Sequence, residues 1–243
     1  MAPSSPSWRR VDATNTALLL SDVQTQLLAH MPEDEQTRYL GTLQELLDSF
    51  RTNISTARDQ SQSQHGSAAE NHHDGGPCIV HHVVVMDYAT MNLSPTNKLN
   101  NWALKRLKAA GPNRGAAVAP TDSAATIPLT LHPPNGWNMD EFVLTKQAPS
   151  CFMSSSLLKI LQARNIKHVV LLGLTTEGSI LSSVRHGSDL DFHIIVPREG
   201  VWCDDRELEK VVLEKLVPRF ADVCAMQDVK ELMAANEDRK TAK

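Results

Sequence analysis

Three residues could do chemistry together if the fold brings them to one place. Asp22 follows the aliphatic run Thr16–Ser21 and is itself followed by Val23 and Gln24. Lys146 closes the run Phe142–Lys146. Ser179 ends the stretch Gly173-Leu174-Thr175-Thr176-Glu177-Gly178-Ser179, which runs from an aliphatic segment into a helical pattern. An acid, a base and a hydroxyl at three strand ends can transfer protons or support a nucleophile. Taken singly, each has a plainer reading: a helix cap, a solvated lysine, a capping Gly-Thr-Ser stretch.

Elements must then hold these residues. Six short β-rich runs stand out: Thr16 to Ser21, Cys78 to Met86, Phe142 to Lys146, His168 to Gly173, Phe192 to Pro197 and Asp222 to Met226. Most are aliphatic without polar alternation, as strands buried on both faces are. Helical spacing fills the gaps. Leu40, Leu43, Leu46, Leu47, Phe50 and Ile54 mark a helix over Glu35 to Ala57. Others are expected over Ser155 to Arg164, Thr176 to Leu190 and Asp205 to Leu216. Strand and helix in alternation predict a doubly wound α/β sheet with helices on both faces. Such a sheet binds ligands beyond the carboxyl ends of its strands.

The 243 residues are read as a single domain. Residues 1–13 are expected to be flexible, 60–77 a mobile loop insertion and 237–243 a frayed end. The stretch 111–126, rich in Gly, Ala and Pro, also reads as loop. Hydrophobic residues make up 41% and aromatics 5%, so the core is expected to be aliphatic. With 24 Lys and Arg against 28 Asp and Glu, the net charge of -4 argues against nucleic-acid binding through a basic field. No run approaches the roughly 18 apolar residues of a membrane helix. Nor is there the apolar stretch of about 7–15 residues of a secretory signal. A cytoplasmic location follows as the expectation, with signal-less secretion left open. The four cysteines, Cys78, Cys151, Cys203 and Cys224, show no paired spacing for zinc or a disulfide scaffold.

The residues in this order resemble the isochorismatase-like (cysteine hydrolase) superfamily. The resemblance rests on Leu19-Leu20-Ser21-Asp22-Val23-Gln24, on Val143 to Lys146 with the turn Ser150-Cys151-Phe152, and on Val169 to Thr176 leading into Ile180 to Arg185. Ser94 to Lys98 and Leu131-His132-Pro133 add to it, and it runs from about Ala13 to about Met226. It implies a six-stranded, mainly parallel sheet of order 3-2-1-4-5-6. It implies a catalytic Asp, Lys and Cys, which fall on Asp22, Lys146 and Ser179, so a serine stands at the cysteine position. It also implies a cis peptide at Leu174-Thr175, with the backbone N–H groups of Thr175 and Ser179 as oxyanion donors. Substrate contacts would fall on Tyr88, Thr175, Thr176 and Glu177. Tyr88 stands where isochorismatases carry Gln, and Glu177 where they carry His.

The serine decides which chemistry is expected. A thiol is readily ionised by its neighbours, whereas a serine hydroxyl needs a dedicated base. The next histidine, His186, lies two helical turns on. One reaction of the superfamily needs no nucleophile: vinyl-ether hydrolysis of isochorismate, with the Asp as general acid. We therefore expect a cofactor-free hydrolase of isochorismate or a related small carboxylated metabolite. Lys146 would hold the substrate carboxylate or set the protonation of Asp22. Two readings stay open beside it: a small-amide hydrolase using Ser179 or Cys151, and a non-catalytic binding protein. No metal is expected, because Asp87-Tyr88-Ala89 lacks the histidine of the metal-binding branch. His81 and His82 also fall on opposite faces of one strand. The resemblance implies a homodimer or homotetramer, for which Val201, Trp202 and Phe220 are the apolar contact candidates.

Overall fold

The computed structural model describes residues 11–65, 75–85, 96–98, 125–154 and 156–241. Its strands are β1 (Thr16–Ser21), β2 (Cys78–Val84), β3 (Glu141–Lys146), β4 (His168–Leu174), β5 (His193–Pro197), β6 (Val201–Trp202) and β7 (Asp222–Cys224). They form one parallel sheet of order β3-β2-β1-β4-β5-β7, with β6 pairing β4 off that path. The expected order holds, the sixth expected strand being β7. The two-residue β6 is new, since a strand that short has no periodicity to read.

Helices cover both faces. They are α1 (Thr25–Leu28), α2 (Glu33–His65), α3 (Leu157–Ala163), α4 (Leu181–Asp189), α5 (Arg206–Val211) and α6 (Met226–Thr241). A wide turn, Thr176–Ile180, leads into α4, and another, Val212–Leu216, follows α5. All six residues of β1 are buried, and successive side chains divide between two cores. Leu18 and Leu20 join Leu43, Leu46, Leu47 and Phe50 of α2 and Val229 of α6. Ala17 and Leu19 join Leu157 and Leu161 of α3 and Val184 of α4. This burial on both sides is why the strands read as unbroken aliphatic runs.

Several boundaries shift. Residues 60–65, expected in the insertion, continue α2. They carry no proline or glycine, and glutamine is a good helix former. Of the N-terminal segment expected to be flexible, residues 1–10 lie outside the described residues. Val11 and Ala13 are buried in the α2-side core. At the other end, α6 runs to Thr241, well into the segment expected to fray. Tyr88, residues 111–124 of the expected loop 111–126, and residues 66–74 of the insertion also lie outside the described residues. Val201 and Trp202 are buried within the subunit, where β6 lies against β4. They are therefore not the subunit contacts expected of them. Phe220 is exposed, with the Arg185 guanidinium over its ring. Among the described residues, no helix is long and apolar enough to cross a membrane.

Candidate active site

Strand order reverses between β1 and β4, and the candidate residues gather at the carboxyl ends there. Asp22 leaves β1 with φ +59°, a left-handed conformation that aspartate tolerates better than most residues. Its N–H donates to the His82 carbonyl at 2.9 Å. Gln24, two residues on, is buried and extends the ladder of β2. Its Oε1 accepts from the Val84 N–H at 2.9 Å, and its Nε2 donates to the Val84 carbonyl at 3.3 Å. The glutamine of Asp-x-Gln thus locks the turn that aims Asp22.

Lys146 ends β3 with its side chain wholly buried. Its Nζ donates to Asp22 Oδ2 at 2.7 Å and to the carbonyls of Pro149 at 2.6 Å and Ala148 at 3.2 Å. Ser179 Oγ lies 3.0 Å from the same Nζ. An ammonium has three hydrogens to give, and acceptors surround this one on every side. Ser179 sits in the turn Thr176–Ile180 and donates its hydroxyl proton to Asp22 Oδ2. The three residues therefore meet in one triangle. Oδ2 of Asp22 receives both neighbours, while Oδ1 is buried without a hydrogen bond among the described residues. Burial pushes the Asp22 carboxyl up, and Lys146 pulls against it without cancelling the rise.

The turn that carries Ser179 begins with a cis peptide at Leu174-Thr175. Thr175 is half-buried. Thr176 is fully buried and spends its hydroxyl on Glu209 Oε2 at 3.2 Å, so only its backbone remains to meet a ligand. Glu177 is half-buried, with Oε2 unbonded among the described residues and the Cys203 thiol beside it. His186 does not reach Ser179 but pairs through Nδ1 with Ser150 Oγ at 3.1 Å. Cys151 is buried, and burial pushes its thiol up despite the nearby Lys146. That keeps it protonated and a poor nucleophile.

Sequence reasoning weighed His82 only as a metal ligand and missed its place beside Lys146. It lies between Ser21 of β1 and Leu144 of β3, fully buried, with both ring nitrogens unbonded among the described residues. Burial and the Lys146 charge hold it well down, as neutral imidazole. The run of aliphatics around it hid its nearness to Lys146, which only the register of β2 on β3 reveals. His81 points to the other face, 3.0 Å from Glu141 Oε1. Among the described residues, no three His, Cys, Asp or Glu side chains are grouped to hold a metal ion.

The chain is similar to known proteins. The Isochorismatase domain matches residues 16–228. The maleamate amidohydrolase of Pseudomonas putida is 34% identical over 88 residues, which are 36% of this chain and 41% of that protein. A secreted isochorismatase effector of Verticillium dahliae is 26% identical over 95 residues, 37% of this chain and 50% of that protein. The chain thus spans half or less of these curated relatives. Among solved structures, a cysteine hydrolase from Pseudomonas syringae superposes with a TM-score of 0.67 at 15% identity, over 97% of this chain and 100% of that one. An isochorismatase family protein from Burkholderia thailandensis gives 0.64 at 16% identity, over 92% and 97%. These two share the fold. With the domain match running from the start of β1 into α6, the chain belongs to the isochorismatase domain family.

Proposed function

We propose that this protein hydrolyses the vinyl ether of isochorismate, or of a related small carboxylated metabolite, by general-acid catalysis from Asp22 without a covalent intermediate. The observation that carries the reading is the asymmetry of the Asp22 carboxyl. Oδ2 accepts from Lys146 and Ser179, and Oδ1 has no partner among the described residues. A proton on the carboxyl therefore resides on Oδ1, and burial favours its presence. Asp22 gives that proton to the terminal carbon of the enol ether. Water adds to the resulting oxocarbenium carbon and loses a proton, which returns to the carboxylate. The hemiketal then collapses to pyruvate and the ring alcohol. Lys146, whose hydrogens are engaged within the protein, tunes the charge of Asp22 and leaves the substrate carboxylate to other groups. Ser179 fixes Oδ2.

A second reading has its own support. The Ser179 hydroxyl donates to Asp22, as a nucleophile does to its base, and a curated relative is a maleamate amidohydrolase. That chemistry needs Asp22 ionised, against the push of burial. Coupled assays of pyruvate from isochorismate and ammonia from maleamate separate the two. Pyruvate release that disappears in Asp22→Asn and stays within about tenfold of wild type in Ser179→Ala supports the general acid. Ammonia release abolished by Ser179→Ala supports the serine nucleophile. No turnover of either substrate leaves a binding role.

A further inference from the structure

The turn Ser150-Cys151-Phe152 takes no part in the proton transfer, yet it is bound at each residue. Ser150 Oγ meets His186 Nδ1 at 3.1 Å. The Cys151 N–H donates to Ser183 Oγ at 2.9 Å. The Phe152 ring lies 5.7 Å from that of His186. It also packs where Gly187 leaves room, since a Cβ there would stand 2.6 Å from Phe152 Cε2. Ser179, Ser183 and His186 are spaced by four and three, so they share one face of the helical segment that carries Ser179. The chain entering the turn supplies the carbonyls of Ala148 and Pro149, two of the acceptors that fix the Lys146 ammonium.

We propose that Ser183 and His186 are positioning residues: they dock the Ser150–Phe152 turn on α4, and the turn holds Lys146 against Asp22. One helix face then sets two sides of the triangle, directly through Ser179 and indirectly through Lys146. Ser183 is fully buried with a backbone N–H as its partner, and His186 reaches a buried hydroxyl. The activity arm of the test rests on the reading of Asp22 as the acid, whereas the geometric arm does not.

The test titrates the Asp22 carboxyl by carbon-13 NMR in the full chain, assigned by its loss in Asp22→Asn. The titratable groups facing Asp22 are Lys146 from β3 and the Cys151 thiol, and His82 from β2 faces Lys146. All are retained in the variants. In His186→Ala, a slackened Lys146 pulls less on Asp22, so its titration moves to higher pH. In pyruvate release on the low-pH plateau, where Asp22 keeps its proton in both proteins, kcat falls by about tenfold or more while KM stays within about twofold. His186→Asn, which can offer a polar atom near the Nδ1 position, restores both. An unchanged Asp22 titration in a folded His186→Ala overturns the proposal, as does failure of His186→Asn to restore it. Should His186→Ala not fold, Ser150→Ala removes the same hydrogen bond and is read the same way. Wild type that releases no pyruvate defeats the proposed reaction, while the titration, which needs no substrate, still decides the positioning role.

Discussion

Burial pushes the Asp22 carboxyl up, Lys146 and the hydroxyls of Ser179 and Ser21 pull it down, and burial wins. As the proposed general acid it must be protonated, so kcat is expected to hold level at low pH and to fall about tenfold per unit above its raised value. Stability carries the same signature. Unfolded, Asp22 titrates near 3.9, and folded, it holds its proton to higher pH. Its contribution is therefore full below the unfolded value and is lost as pH rises through the folded one. Asp22→Asn does not titrate, so urea midpoints at stepped pH should shift in favour of the variant across that window. Lys146→Met has the opposite consequence. It leaves a buried carboxyl without its counter-charge and the Ala148 and Pro149 carbonyls without their donor. A loss of about 3 kcal/mol in urea unfolding near neutral pH is expected, with the Asp22 titration moved further up.

At the scale of elements, the contact between β1 and β4 sets the distance from Asp22 to Ser179. Gly173 of β4 pairs Ser21 of β1 and has φ +128°. A Cβ there would stand 1.9 Å from the Ser21 carbonyl oxygen, which is backbone and cannot swing away. Gly173→Ala must part the two strands, at a cost on the order of 3 kcal/mol. Urea unfolding should register that loss, and activity should fall with it because Asp22 moves with β1. These strands were legible in the sequence because burial on both faces writes an aliphatic run, and Asp22 and Lys146 were legible because they close such runs. The seating of Ser150 on His186 was not, because the partners lie 36 residues apart and meet only once a turn folds back on a helix. The nearness of His82 to Lys146 was hidden likewise, being fixed by strand register alone. The helical continuation over residues 60–65 was missed because polar composition suggested a loop where nothing in those residues breaks a helix.

Across the whole molecule, the edge strand β3 is secured from both layers at the end away from the site. Asp140, just before β3, meets Arg58 from α2 and Arg164 from the end of α3, the latter at 3.1 Å. Glu141 takes Arg51 of α2 at 2.8 and 2.9 Å. Charges clipped along an edge also guard it against pairing with another chain. Asp140→Ala should cost about 2 kcal/mol, chiefly by stranding the partly buried Arg164, since Arg58 is exposed. Pyruvate release should persist, because β3 separates Asp140 from Lys146 by roughly 20 Å. The same molecule keeps its described cysteines inside. Burial holds the thiols of Cys78, Cys203 and Cys224 up at about 12 and raises that of Cys151. The resemblance to cysteine hydrolases places Ser179 at the position of their thiolate, and a hydroxyl has no sulfenic, sulfinic or sulfonic forms to pass through. A burst of hydrogen peroxide that silences a thiolate enzyme is therefore expected to leave the Ser179 hydroxyl chemically intact.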